Sequence, residues 1–445
     1  MQTHFSETAL QRPEIQMADD ILRKCVHCGF CTATCPTFVL TGDERDSPRG
    51  RIWMMRDALG GGDTGDQMNM GDVGYHLDRC LGCMSCMTTC PSGVDYLHLV
   101  DIGRAEVEKT TKRSLADTVI RKLLAGLVPN VRMFNLALKL AMMGRPFASI
   151  LPRRLAAMIG SAPAKLGAID TVGAKDQIFS PETSVKKRVL LLQGCAQRAI
   201  APEINAATLR LLSSLGVEVV VRTHASCCGG LAHHINESDS AHRHISATAR
   251  AWRADIDAGN LDAIIVNTSG CGTTLKDYGQ LLSDDHELAQ TGARISALAM
   301  DITEFLAEHT QLPALPEKGL SVAYHAACSL QHGQKVTAAP KTLLATAGFE
   351  VRQIAESHLC CGSAGVYNIL QPELAGQLQS RKVTNINKAE ADIVAAGNLG
   401  CINQISGAEA PVCHTVQLLD WAYGGPVPAG LEGVTDKANN CPIFI

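Results

Sequence analysis

Cys25-Val26-His27-Cys28-Gly29-Phe30-Cys31-Thr32-Ala33-Thr34-Cys35-Pro36 sets the character of this chain, because its outline returns as Cys80-Leu81-Gly82-Cys83-Met84-Ser85-Cys86-Met87-Thr88-Thr89-Cys90-Pro91. Both stretches spell C-x2-C-x2-C-x3-C-P. Thiolates are soft donors that match iron-sulfide, and short spacings let backbone N–H groups turn inward to the sulfurs. Gly29 and Gly82 suit that tight wrapping, where a side chain would obstruct the backbone. Zinc also accepts C-x2-C pairs, but at four ligands per ion it does not account for two matching runs of four with trailing prolines.

The spacing is that of a two-cluster ferredoxin, in which three thiolates of one run and the last of the other hold each cubane. It assigns Cys25, Cys28, Cys31 and Cys90 to one [4Fe-4S] cluster and Cys80, Cys83, Cys86 and Cys35 to a second. A helical two-cluster module over residues 1–110 is the first expectation. Between the runs, Ser47-Pro48-Arg49-Gly50-Arg51-Ile52 belongs to an insertion that a small ferredoxin lacks. Two readings stay open there. Arg49 and Arg51 offset the negative charge of a thiolate-bound cluster and raise its potential, or Ser47-Pro48 simply starts a helix with exposed arginines. Gly60-Gly61-Gly62 lacks the strand-turn-helix setting of a nucleotide fingerprint and reads as a loop.

Eight of the 18 cysteines lie in that module, and most of the rest form an internal repeat. Cys195, Cys227 and Cys228 recur as Cys328, Cys360 and Cys361, each 133 positions on, and Cys271 recurs as Cys401, 130 positions on. The surroundings repeat too. Val189-Leu190-Leu191-Leu192 runs into Gly194-Cys195 as Val322-Ala323-Tyr324-His325 runs towards Cys328. Leu215–Val221 and Ala347–Val351 precede the two Cys-Cys-Gly triplets, and Ala263–Asn267 and Ala391–Ala395 lead to Cys271 and Cys401.

Every one of these thiols therefore follows an apolar run of strand character. In parallel sheets the loops at the carboxyl ends of strands converge, so each repeat is expected to gather four thiols in one crevice. The fold class that follows is a multidomain chain of α+β and α/β type: the ferredoxin module, then cysteine-rich α/β domains at 185–310 and 320–425. Metal binding or redox work is one reading of Cys195, Cys227, Cys228, Cys271, Cys328, Cys360, Cys361 and Cys401, and buried structural cysteines are the other. His224, His325 and His358 lie near the pairs but are not counted among the ligands, because a histidine bonded to a loop is the commoner case. Cys413 and Cys441 fall outside the repeat.

Residues 111–184 read as a basic amphipathic helical linker. Ten cations from Lys112 to Lys165 face the single acid Asp117, a balance of +9 that leaves −13 for the rest of a chain whose net charge is −4. Leu123, Leu127, Phe134, Leu138 and Met142 recur at helical spacings with breaks near Pro129 and Gly144-Arg145-Pro146. Either this is a connecting layer with a solvated basic face, or it docks on an anionic membrane surface or an acidic partner. Residues 426–445 are left as a tail. A net charge of −4 and 4% aromatic residues argue against nucleic-acid binding. No run approaches the ~18 apolar residues of a membrane span. No secretory core opens the chain, so a reducing, cytoplasmic setting is expected.

The two ferredoxin runs, the Ser47–Ile52 stretch and the two Cys-Cys-Gly domains resemble the glycolate oxidase (glycolate dehydrogenase) iron-sulfur subunit along essentially the whole chain. That resemblance implies an electron-transfer subunit of a complex that oxidises glycolate to glyoxylate, and (R)-lactate to pyruvate as a further reaction, at FAD on partner subunits. The chain would pass electrons to a membrane quinone or another acceptor from the cytoplasmic side of the inner membrane, with no catalytic residue of its own. Iron-sulfur subunits of lactate and anaerobic glycerol-3-phosphate dehydrogenases, and heterodisulfide reductase with catalytic Cys-Cys-Gly domains, share the architecture and are the alternatives. Heterodisulfide reductase relatives close each domain with a further cysteine and can hold a non-cubane cluster. Here Thr274 and Gln404 stand at those positions. A single cubane, a mononuclear metal or an empty thiol pocket stay open for each repeat.

Overall fold

The computed structural model describes residues 1–62, 68–163, 166–170 and 172–434. The N-terminal part is helical. Pro13 opens the helix Pro13–Lys24, whose Ile15, Ala18, Ile21 and Leu22 recur at three- and four-residue spacing and are all buried. Ser47 caps the helix Pro48–Ala58, its hydroxyl accepting from the Gly50 N–H at 2.9 Å. These two pack with Met70–Asp78 and Tyr96–Thr110 around Met54, Met55, Leu77 and Leu99. The cysteine runs sit in the connections between these helices, with Cys31 on the 3-10 turn Phe30–Thr32 and Cys86 on the short helix Ser85–Thr89.

The repeats form two sheets. The first has the order β1-β3-β2-β4-β5, from β1 (Gln177–Phe179), β2 (Lys187–Leu192), β3 (Val217–Val221), β4 (Ala263–Val266) and β5 (Ala299–Asp301). The second has the order β7-β6-β8-β9, from β6 (Ser321–His325), β7 (Glu350–Arg352), β8 (Ile393–Ala396) and β9 (Val412–His414). All neighbours are parallel except β1 and β3. Central strands are apolar along their length because helices cover both faces, so Val189 to Leu192 are all buried. One core joins the sheets, with Leu191, Val219 and Ile265 of the first packing with Val322, Tyr324 and Ile393 of the second.

Two expectations need correction. The stretch 111–184 is not helical to its end: Gln177–Phe179 is a strand that pairs antiparallel with β3 and widens the first sheet. Nor is the segment after residue 425 a loose tail as far as Val434, since Leu431 is fully buried in the joint core. Residues 435–445, with Cys441, lie outside the described residues, as does Lys165.

The basic stretch folds as the helices Leu115–Leu127, Val131–Gly144 and Arg153–Gly160. Leu124, Ala125 and Val128 enter the core of the first repeat. Its charge is only partly solvated. Asp117 accepts from Arg121 and Arg154, and Asp78 of the ferredoxin part takes Arg113 and Arg121.

Candidate iron-sulfur and thiol sites

The two cysteine runs adopt one loop shape. The residues flanking each run's second cysteine are left-handed: His27 and Gly29 at φ 59° and 86°, Gly82 and Met84 at 62° and 60°. A left-handed residue on either side of a cysteine turns successive N–H groups towards the sulfurs, and Gly82 N lies 3.4 Å from Cys80 Sγ. His27 and Met84 hold this conformation although glycine is the easier choice.

Two cavities result. Cys25, Cys28, Cys31 and Cys90 line one, with Arg49 and Ile52 in its wall. Cys35, Cys80 and Cys83 line the other, with Arg51 and Leu81. Cys86 borders both. Burial pushes the Cys31 thiol up to about 11 and raises Cys83 and Cys86 well above the ordinary range. Sulfurs so placed ionise only beside strong positive charge, which an iron core provides, so the donor set fits a thiolate-ligated cluster in each cavity.

The two arginines of the insertion part company. Arg49 lies across Gly29, where a Cβ would come within 2.6 Å of its Nη1, and pairs with Glu44 at 2.8 Å. Arg51 is 1% exposed. Its Nη1 is 4.0 Å from Cys35 Sγ, its Nη2 donates to Thr37 Oγ1 at 3.1 Å, and its Nε donates to the His76 carbonyl at 2.8 Å. Buried Asp46 anchors the group, facing Arg51 at 3.4 Å, Arg79 at 3.1 Å and His76 at 2.8 Å. Ser47-Pro48 does start a helix, but Arg51 is not one of its exposed residues.

In the first repeat Cys195 meets Cys227 and Cys271 meets Cys228. The thiol neighbours, with burial, raise Cys227 and Cys271 well above their ordinary range. In the second repeat Cys328 and Cys360 are 3.7 Å apart, and Cys361 bonds to both Cys360 and Cys401. The Cys361 thiol, followed by His325 and Asn398, holds Cys401 down to about 5. Each Cys-Cys pair ends in a glycine for a steric reason. A Cβ on Gly229 would lie 2.7 Å from Ile245 Cγ1, and one on Gly362 would lie 2.7 Å from the Ala375 carbonyl, both at positive φ.

The ferredoxin part touches the repeats differently. Cys83 packs with Cys328, Cys360, Leu81, Tyr367 and Leu374 in one apolar cluster. The Tyr367 hydroxyl donates to the Arg79 carbonyl at 2.9 Å. Towards the first repeat the contacts are ionic: His98 bridges Asp95 at 2.6 Å and Asp277 at 2.9 Å, and His233 meets Asp101 at 3.0 Å.

Of the three histidines near the pairs, His224 is exposed and His358 offers its carbonyl to His332. His325 instead stands buried beside Cys361 and Cys401. It therefore belongs among the candidate donors, against the sequence expectation. A signal for it exists: β2 closes on Leu192, whereas β6, at the matching position, closes on a histidine. Cys413 packs in the joint core, where burial pushes its thiol to about 12.

Comparison with known proteins bears on these sites directly. Residues 24–94 match the 4Fe-4S dicluster domain, and residues 189–276 and 322–406 each match the cysteine-rich domain called CCG. The chain is 39% identical to the glycolate oxidase iron-sulfur subunit of Escherichia coli, over 95% of this chain and 99% of that one. It is 31% identical to the probable glycolate oxidase iron-sulfur subunit of Bacillus subtilis, over 88% and 89%. A more distant relative is one of the subunits of the CoM/CoB fumarate reductase of Methanothermobacter marburgensis, 25% identical over 93% and 74%.

Proposed function

This chain belongs to the glycolate oxidase iron-sulfur subunit family, and from that membership we propose that it relays electrons taken from glycolate at a flavin on partner subunits to a membrane quinone. Oxidation of glycolate to glyoxylate releases two electrons and two protons, which FAD on partner subunits would take up. The two [4Fe-4S] clusters, when bound, supply one-electron storage and transfer. Cys25, Cys28, Cys31 and Cys90 hold the first, and Cys35, Cys80, Cys83 and Cys86 the second. Arg49 and Arg51 place positive charge against the first and second sets of thiolates, and Ile52 and Leu81 give each cavity an apolar inner wall.

The observation that carries this reading is the pair of cysteine-lined cavities with Cys86 in their common wall. Two redox centres back to back make a wire rather than a reaction chamber. The test is anaerobic addition of glycolate to the assembled complex while the iron-sulfur absorbance is followed. Bleaching within turnover time is expected, together with a reducible paramagnetic signal. Full quinone reduction while the iron-sulfur absorbance stays constant would refute the relay.

Attachment to the cytoplasmic face of the membrane is the second part of the proposal, and the basic helices support it. No helix among the described residues is long and apolar enough to cross a membrane. Leu115, Val119, Leu136, Leu140, Met143 and Ile150 are nonetheless exposed, Leu115 at 86%. Lys112, Lys122, Arg132 and Lys139 stand exposed among them. Such a surface inserts apolar side chains and draws anionic headgroups, at about 1 kcal/mol for each cation near the surface. Sedimentation with anionic vesicles should fall several-fold on raising salt and again in a Leu136→Glu, Leu140→Glu variant. Indifference to both changes would place the attachment elsewhere.

A further inference from the structure

The two repeats share their sheet order and thiol register but differ in what surrounds the thiols. Leu192, opposite Val266, ends β2, while His325, opposite Ala396, ends β6. Thr268 precedes the helix that carries Cys271, while Asn398 precedes the one that carries Cys401 and donates to its Sγ at 3.3 Å. The third difference is on the helix behind the Cys-Cys-Gly turn. Ala241 and Ala375, whose carbonyls face Gly229 and Gly362, are 134 apart, which sets Thr248 against Lys382.

His325 is 2% exposed and faces the Cys401 thiol, with neither ring nitrogen in a well-formed hydrogen bond. A buried imidazole so poorly met is costly, and a ligand that takes one nitrogen removes part of that cost. A ring nitrogen of His325, Cys361 Sγ and Cys401 Sγ all lie within 4.8 Å of one another. A tetrahedral ion at roughly 2.0–2.3 Å from each donor sets them about 3.3–3.8 Å apart, so small side-chain rotations close the set.

We propose that the second repeat holds one thiophilic divalent ion of the zinc and ferrous type through His325, Cys361 and Cys401, with Cys360 as fourth donor. The first repeat, with Leu192 in place of the histidine, holds none. Three thiolates and a dication leave one negative charge. Lys382, 2% exposed, with its Nζ donating to the Glu356 carbonyl at 2.8 Å, lies near these thiols and supplies the balancing positive charge. Asn398 orients the Cys401 sulfur as outer partners do at metal sites. Four protein ligands leave no open coordination position, which marks a structural ion. It ties together the carboxyl end of β6, the loop after β7 and the helix after β8, and Cys83 packs against the first two of these through Cys328 and Cys360.

This inference does not depend on the substrate and is separable from cluster ligation by the eight ferredoxin cysteines. Metal and acid-labile sulfide are measured on the full chain purified anaerobically. Two cubanes account for about eight irons. One further divalent ion that resists chelators is expected in the wild type. His325→Leu, which installs the first repeat's residue, should lose it and keep the eight irons with their paramagnetic signal, which also reports folding. Cys271→Ser in the first repeat should keep it. His325→Cys should regain the ion, and after cobalt replacement its visible spectrum should differ from the wild type's in the direction of all-sulfur ligation. The proposal is overturned if zinc titration of the wild type finds no further site, if His325→Leu retains the ion, or if the extra metal is several irons with matching sulfide.

Discussion

The two cysteine-rich repeats meet the ferredoxin part in opposite ways. The first is held by charge, through His98–Asp277 and His233–Asp101, and its thiols neither line the cluster cavities nor pack with Cys83. The second is held by an apolar patch in which Cys83 packs among Cys328, Cys360 and Tyr367. Duplication preserved the sheet order and the glycine turns, because those are fixed by steric fit, while the residues around the thiols were free to diverge. The lesson is that a repeated thiol pattern fixes the position of a site and not its chemistry. The neighbours of the sulfurs decide that.

The comparison breaks most visibly at its junction with the wire. Cys83→Ser removes a donor from the second cavity, and electron transfer from glycolate to quinone in the assembled complex should fall about 100-fold or more, beyond the 10–100-fold of losing an outer partner. Cys271→Ser should change the same rate less than about 3-fold, since outer partners already exceed that. Equal losses in steady-state assays would mean that the first repeat lies on the path.

A smaller effect separates the two arginines. Arg51→Leu leaves buried Asp46 with one cation fewer, so stability should drop by about 3–5 kcal/mol. In addition, the second cluster's potential should fall as positive charge leaves its thiolates. Arg49, whose side chain is 33% exposed, pairs with Glu44 near the surface, and Arg49→Leu should cost about 1 kcal/mol or less. Chemical denaturation and redox titration of the two variants check both halves. Similar losses in stability would show that Asp46 is satisfied without Arg51.

Much of this was legible in the sequence for physical reasons that vary by residue. The cysteine runs were readable because cluster geometry demands short fixed spacings, and the repeat was readable because eight thiols kept register. Strand β1 was not, since three residues at a sheet edge leave no periodicity to detect. Arg51 stayed open between a charge facing a cluster and an exposed helix-start arginine, because its burial comes from Asp46, Thr37 and the His76 carbonyl, which only the folded chain brings together. His325 could have been found by setting the two repeats side by side, where an apolar strand end turns polar once. Lys382 could not, because the helices that carry Thr248 and Lys382 begin at different points relative to the Cys-Cys-Gly turn.

The smallest expected effect is the pH dependence of the ionic junction. Hydrogen bonding to Asp277, and then to Asp95, raises His98 from its ordinary 6.5 to about 10. His233 is also raised: burial opposes its charge, but the Asp101 bond prevails. A histidine whose folded pKa exceeds its unfolded one stabilises fully below the unfolded value and loses that contribution as pH climbs through the folded value. For His98 the window therefore runs from about pH 6.5 to about pH 10. His98→Gln should cost roughly 1.5–3 kcal/mol at pH 6, the range for hydrogen bonds to charged groups, and almost nothing above about pH 10. Thermal melts of both proteins across that range measure the gap. The junction of the second repeat also has a histidine contact, Thr88 Oγ1 to His332 Nδ1 at 2.8 Å, but Tyr367→Phe leaves it untouched and should show a gap that stays constant between pH 6 and pH 8. If the His98→Gln gap also stays constant, the first repeat is not held by charge, and the contrast between the two junctions fails.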